Sequence, residues 1–243
     1  MPHAPSPSLY ESPALQAVTG PALRPGGLEL TQRALSFCDL PVGARLVDIG
    51  CGTGVTVRYL RRHRQLKAFG LDRSSGLLDQ VRQRDNELPL VQGEAQRLPF
   101  GDCCLAAVMC ECVLSLVEKS DAAWREFYRV LVPGGLLVLA DVYARVPEHA
   151  GGLTSLPVTC CLKGARSRDE LVGRMHQSGF TVLVWEDHSE ALKRLAAQLV
   201  FACGSLQALW GTTEAGASMN AYSSAIQRAR PGYFLAVARK EGI

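Results

Sequence analysis

Short apolar runs alternate with segments of helical spacing along most of this chain. Leu46-Val47-Asp48-Ile49 reads as a buried strand, Ala68 to Asp72 as a second, and Leu90-Val91-Gln92 as a third. Cys104 to Cys112 is apolar almost throughout and reads as a fourth, and Leu136 to Val142 as a fifth. Phe180 to Glu186 and Gly232 to Arg239 supply two late strands. Helices are expected between them: Leu28 to Cys38, Val55 to His63, and Ser74 to Asn86 with Leu77, Leu78 and Val81 inward. Ser120 is expected to cap a helix whose buried stripe is Trp124, Phe127 and Leu131, before the turn Pro133-Gly134-Gly135. Strands and helices alternating at this spacing predict a mostly parallel sheet.

After residue 144 the rhythm changes. Arg145 to Arg166 has no clear period and carries Pro147, Gly151, Gly152 and Pro157, so it reads as a mobile lid with no stripe to dock it. Ser167-Arg168-Asp169-Glu170 is a capping box opening a helix with Leu171, Val172 and Met175 inward and Gly179 as its stop. Ser189 starts a helix with Leu192, Leu195, Ala196 and Leu199 on one side, and Gly211 to Met219 reads as a loop. At the other end, Pro2, Pro5, Pro7 and Pro13 make residues 1–13 loose, and Arg24-Pro25-Gly26-Gly27 is a turn. The expected organisation is an N-terminal extension over 1–27, then one domain over 28–243 with a lid insertion near 145–166.

The chemistry starts at the end of the first strand, where Gly50, Gly52 and Gly54 occupy every second position. Glycines there let the backbone turn sharply and approach a ligand closely, and the helix that follows presents N–H groups to it. Open α/β sheets bind ligands at this place, the carboxyl end of the first strand. A dinucleotide loop reads G-x-G-x-x-G, but Val55 stands where its third glycine belongs, which speaks against a nicotinamide oxidoreductase. The run is D-x-G-x-G-x-G, from Asp48 to Gly54. Asp72 ends the second strand twenty residues past the loop, where an acid accepts hydrogen bonds from ribose hydroxyls. Glu94-Ala95 and Leu98-Pro99-Phe100 follow the third strand.

In these motifs the sequence resembles the class I methyltransferases that use S-adenosylmethionine. The resemblance spans roughly residues 28–240. It implies a Rossmann-like fold: a mostly parallel seven-stranded sheet, helices on both faces, and an antiparallel C-terminal strand. It also implies a cofactor site made from Asp48, Gly50, Cys51, Gly52, Asp72, Arg73, Glu94, Ala95 and Cys110, with Glu94 near the adenine amino group.

A narrower resemblance enters at Val108 to Leu116, Asp141 to Glu148 and Cys160-Cys161-Leu162-Lys163-Gly164-Ala165, segments similar to those of arsenite methyltransferases. In that family one cysteine follows the fourth strand and one precedes a Leu-x-Gly-Ala stretch, and both bind trivalent arsenic as thiolates. By position these fall on Cys112 and Cys161, which makes arsenic a substrate held by sulfur. The chain departs from that family in having Cys38 as its one cysteine before the glycine loop. Another soft acceptor, or an apolar pocket wall, remains an alternative role for the thiols. An acceptor that must lose a proton would need a base, for which Glu111, Glu148 and His149 are the candidates.

Bulk properties narrow the field without changing it. A net charge of +3, with no basic run or basic helix, predicts no nucleic-acid partner. No apolar run approaches the ~18 residues of a membrane span, and the N-terminus lacks the basic-then-apolar order of a secretory signal. The nine cysteines, an odd number with adjacent pairs, therefore suit a reducing compartment, and a cytoplasmic location is expected. The expected activity is methyl transfer from S-adenosylmethionine to a small-molecule acceptor. The alternative is a non-catalytic, regulatory cofactor-binding homologue that acts through a protein partner. Oligomeric state stays open.

Overall fold

The computed structural model describes residue 10, residues 13–205, residue 208 and residues 217–242. Seven strands form one sheet: β1 (Arg45–Ile49), β2 (Lys67–Asp72), β3 (Leu90–Gln92), β4 (Leu105–Glu111), β5 (Leu131–Ala144), β6 (Phe180–Asp187) and β7 (Pro231–Lys240). Their order is β3-β2-β1-β4-β5-β7-β6. Every pair from β3 to β5 is parallel, and β7 runs antiparallel between β5 and β6. The order reverses between β1 and β4, so the glycine loop after β1 opens at the switch point of the sheet.

Eight helices cover the described sheet: α1 (Pro13–Thr19), α2 (Gly27–Leu35), α3 (Val55–His63), α4 (Ser75–Arg84), α5 (Ser120–Val130), α6 (Arg168–Gln177), α7 (Ser189–Cys203) and α8 (Ala217–Ala229). Strand alternation sorts the core into two layers. Leu46, Ala107, Met109 and Val138 face α2, α3, α4 and α8, whereas Val47, Ile49, Val108 and Leu137 face α5 and α6. The same alternation puts Asp48 on the Leu46 side and Glu111 on the Met109 side, that is, on one face. Cys110 falls on the other.

Several expectations need correction. α2 stops at Leu35, so Cys38 lies beyond the helix rather than inside it, its thiol donating to the Ala34 carbonyl at 3.3 Å. Ser120 is the first residue of α5 rather than its cap; the cap position is Lys119, without a side-chain hydrogen bond. Leu131 belongs to β5, which runs through Pro133-Gly134-Gly135 with a register shift against β4. Ala196 is exposed on α7. α1 and α8 were not anticipated: α1 starts at Pro13, and α8 takes in Ala217, Ser218 and Met219 of the expected loop. Residues 211–216 of that loop, and Pro2, Pro5 and Pro7, lie outside the described residues.

The largest correction concerns residues 145–166. This segment is docked rather than free-standing. It forms two 3₁₀ stretches, Pro147–Ser155 and Cys161–Gly164, and buries Leu153, Leu156, Val158, Cys160, Cys161 and Ala165. Its apolar residues are spaced for 3₁₀ turns and single contacts, so no helical or strand period reveals them. Gly164 presses on the turn after β4: a Cβ there would stand 1.8 Å from the Ser115 carbonyl oxygen. That approach sets Cys161 against the end of β4.

Candidate active site

The glycine loop is shaped by what surrounds it. Gly50 has φ +70°, and a Cβ on it would meet Val113 Cγ2 at 2.1 Å, so only glycine fits. The Gly50 and Cys51 amides both donate to the Leu71 carbonyl, at 2.7 and 3.1 Å, which ties the loop to β2. Asp72, at the end of β2, reaches across it. Its Oδ2 accepts from the Gly52 amide at 2.8 Å and its Oδ1 from the Ser74 amide at 2.9 Å. Each oxygen retains acceptor capacity after one such bond. A cleft of about 1100 Å³, including its open mouth, lies over this loop. Gly50, Cys51, Gly52, Asp72, Arg73, Glu94 and Ala95 all line it.

Three expected site residues stand elsewhere. Cys110 is fully buried among the α5-side core residues, because strand alternation turns it away from the cleft. Glu148 is exposed on the first 3₁₀ stretch and does not line the cleft; His149 beside it is exposed as well. Asp48 is buried behind the loop instead of lining it. Burial raises its carboxyl well above the ordinary range, and the neighbouring Glu111 charge adds to the rise.

Glu111 does line the cleft, but its carboxylate is engaged. It pairs with Arg24 at 2.8 Å and accepts from Thr31 Oγ1 at 3.1 and 3.2 Å. Burial raises its pKa, with Arg24 and Thr31 opposing the rise. A free general base is therefore not what it offers. Arg24 also lines the cleft, a placement the sequence reading missed. It sits in a turn whose Pro and glycines dominate the local signal, and only folding brings it 87 residues along the chain to Glu111.

The thiols gather at the other side of the loop. Cys112 lines the cleft, and its φ of +62° is a left-handed conformation rare for a residue with a side chain. Strain of that kind persists where the surroundings over-determine it. Here the Cys112 amide donates to the Ala140 carbonyl at 2.6 Å. Cys112, Asp141 and Cys161 bring a sulfur, a carboxylate oxygen and a sulfur within 4.8 Å of one another. Asp141 is spoken for: it accepts from the Ser115 amide at 2.9 Å, the Ser115 hydroxyl at 2.7 Å and the Val142 amide at 2.8 Å. Burial raises its pKa to about 6 against those bonds. The two sulfurs are the ligands left with capacity. The hydrogen bond to Cys112 and burial push the Cys161 thiol well up.

Tyr10 closes this end. Its buried hydroxyl lies 3.4 Å from Cys112 Sγ and accepts from the Cys161 amide at 3.2 Å. Burial raises its pKa, and both cysteines add to the rise. Cys160 lines a neighbouring cleft beside Asp141, apart from the Cys112–Cys161 pair.

Comparison with known proteins now has geometry to meet. Residues 47–139 match the family profile of a methyltransferase domain. Those residues run from β1 into β5, and the match supports S-adenosylmethionine as the cofactor. A 2-phytyl-1,4-naphtoquinone methyltransferase of Thermosynechococcus vestitus is 36% identical over 45% of this chain and 51% of its own length. Methyltransferase GfsG of Streptomyces halstedii is 25% identical over 90% of this chain and 82% of its own. An arsenite methyltransferase of Halobacterium salinarum is 25% identical over 60% of this chain and 39% of its own. The chain thus spans about half or less of the naphtoquinone and arsenite relatives. Among solved structures, the [4+2]-cyclase SpnF superposes with a TM-score of 0.73 at 24% identity, covering 98% of each chain. That likeness shares the Rossmann-like fold of the methyltransferase domain, and a neighbour named for a cyclisation shows why fold alone does not name a reaction.

The residues fit the cofactor. Asp72 has acceptor capacity left for a diol, Gly50 admits close approach, and the buried Arg24 Nε has no hydrogen-bond partner among the described residues. No described helix is long and apolar enough to cross a membrane.

Proposed function

We propose that this chain transfers the methyl group of S-adenosylmethionine to a small thiophilic acceptor held between Cys112 and Cys161, with trivalent arsenic as the sharpest candidate. One observation carries the reading: two thiols 49 residues apart in sequence are folded together, Cys112 lining the cleft in a strained conformation and Cys161 beside it. The cofactor, when bound, supplies a methyl already activated on a sulfonium. The protein's tasks are to align the acceptor in line at ~3–3.5 Å and to exclude water. Asp72 and the glycine loop orient the nucleoside. Tyr10 and the docked 145–166 segment keep solvent from the sulfurs. Thiolates are soft ligands suited to a soft trivalent centre. Binding arsenous acid forms each As–S bond as an As–O bond breaks, the thiol proton leaving with the hydroxyl as water. The arsenic lone pair is then the nucleophile, and no general base is needed. This agrees with the placement of Glu111, held by Arg24, and of Glu148, outside the cleft.

The test is a methyl-transfer assay over arsenite with a thiol reductant, small thiols and quinols. Methylated arsenic is expected, and Cys112→Ser and Cys161→Ser are each expected to abolish it, with Cys160→Ser milder. If the wild type methylates a quinol or thiol but not arsenite, the arsenic reading fails and methyl transfer stands. If S-adenosylhomocysteine binds but no acceptor is methylated, the regulatory alternative gains.

A further inference from the structure

We propose that the cleft beside Asp141 is a second ligand site, separate from the glycine-loop cleft, and that it takes an organic carboxylate with an apolar body. This cleft holds about 1070 Å³, including its open mouth, against about 1100 Å³ for the first. It opens on the α5 and α6 side of the sheet, beside the carboxyl ends of β4 and β5. Among the described residues the two clefts share Leu116 and Val117 alone, both from the turn after β4. Neither Asp72 nor the glycine loop lines the second.

The walls set the two halves of the ligand. Leu114, Trp124, Leu171 and Phe234 give it apolar surface. Small-molecule sites are built this way, with a few polar groups among apolar walls to fix orientation. The polar groups here are unequal. Arg166 and Arg174 both pair with Glu170, and Arg174 also with Asp121, so their charges are met. Asp141 turns its oxygens to the Ser115 amide and hydroxyl and to the Val142 amide. Glu118 is exposed, where salt and water screen its charge.

Lys163 is the cation left over. It is half-buried, lines the cleft, and forms no ion pair among the described residues. An ammonium has three N–H donors, and the Leu156 carbonyl takes one of them at 2.9 Å. A carboxylate arriving from the cleft supplies the counter-charge in a hydrogen bond charged on both sides. The next residue, Gly164, is packed on the Ser115 carbonyl, so the backbone that carries Lys163 is fixed before a ligand arrives. A bare inorganic anion would meet the ammonium and leave the apolar walls wet, which is why the ligand carries an apolar body.

The experiment is calorimetry on the full chain with three probes: 4-phenylbutyrate, the neutral 4-phenylbutanol of similar shape, and acetate, each with and without saturating S-adenosylhomocysteine. The wild type is expected to bind 4-phenylbutyrate saturably, about tenfold or more tightly than either other probe, the scale of one charged hydrogen bond. S-adenosylhomocysteine is expected to leave that affinity within about twofold. Lys163→Gln, which can still donate to Leu156, is expected to bring 4-phenylbutyrate and 4-phenylbutanol within about twofold of each other, and Lys163→Arg to keep the preference. A Lys163→Gln protein that retains the preference overturns the proposal, as does a wild type with no saturable 4-phenylbutyrate binding. Acetate binding as tightly as 4-phenylbutyrate overturns the apolar body. Displacement of 4-phenylbutyrate by S-adenosylhomocysteine puts the probe in the first cleft and overturns the second site. If S-adenosylhomocysteine itself does not bind, the cofactor reading falls, and the Lys163 comparison still decides this proposal.

Discussion

At the Asp72 end of the cleft, the groups that face a ligand come from three neighbouring strand ends between Gly50 and Ala95, and main-chain hydrogen bonds fix them. At the Cys112 end they come from Tyr10, Arg24, Glu111 and Cys112, and side-chain contacts across 80 to 151 residues hold them, one of them to the Cys161 amide. The first end is a property of one β-α-β pattern. The second is an assembly of the N-terminal extension, the end of β4 and the segment after β5. Backbone scaffolding repeats wherever the strand-loop-helix sequence recurs. Side-chain assembly is particular to a chain, and under the proposed function it carries the acceptor chemistry.

Four changes test that contrast, from the largest expected effect down. Gly50→Ala places a Cβ into Val113 at a positive φ. Left-handed strain and overpacking together are expected to cost about 2–5 kcal/mol in urea unfolding and to remove measurable S-adenosylhomocysteine binding. Adding Val113→Ala should recover about half of the stability; no recovery would mean the loop is not shaped by that contact.

Asp141 tests the thiol end through pH. Its carboxyl pKa is raised from 3.8 to about 6 by burial, so between those values the folded state keeps a proton that the unfolded chain has released. The resulting stability is complete below about pH 4 and lost as pH rises through 6, by up to about 3 kcal/mol. Asp141→Asn has no charge to desolvate and should flatten this part of the stability–pH curve. An unchanged slope would show that other groups make it.

Asp72→Ala removes the acceptor for the Gly52 and Ser74 amides and, on the proposed reading, the ribose contacts. S-adenosylhomocysteine affinity should fall about ten- to a hundredfold, the worth of ~1.5–3 kcal/mol from bonds to a charged group. Retained affinity would take Asp72 out of the site.

Tyr10→Phe is the smallest change. It deletes the hydroxyl that links Cys112 Sγ and the Cys161 amide. The loss should be about 1 kcal/mol, with faster hydrogen exchange at the Cys161 amide and S-adenosylhomocysteine affinity within about twofold. Unaltered exchange would show that the N-terminal extension does not close this end.

Sequence alone determined the local parts. β1, the glycine loop, α3 and Asp72 were legible because a buried strand, a turn that excludes Cβ atoms and a helix each leave a pattern within ten residues. The antiparallel ending and the pairing of Cys112 with Cys161 followed from family resemblance, not from spacing. Tertiary structure decided the rest. Period-2 alternation told nothing of Cys110 until the sheet gave each face its neighbours. Leu153, Leu156 and Val158 showed no stripe because 3₁₀ turns dock through single residues. Arg24 was hidden in a Pro-Gly turn, and Glu111 read as a free base until the fold paired the two. A buried ion pair, an orphaned donor and a sulfur pair are relations between distant residues, and a relation of that kind exists only after the chain has folded.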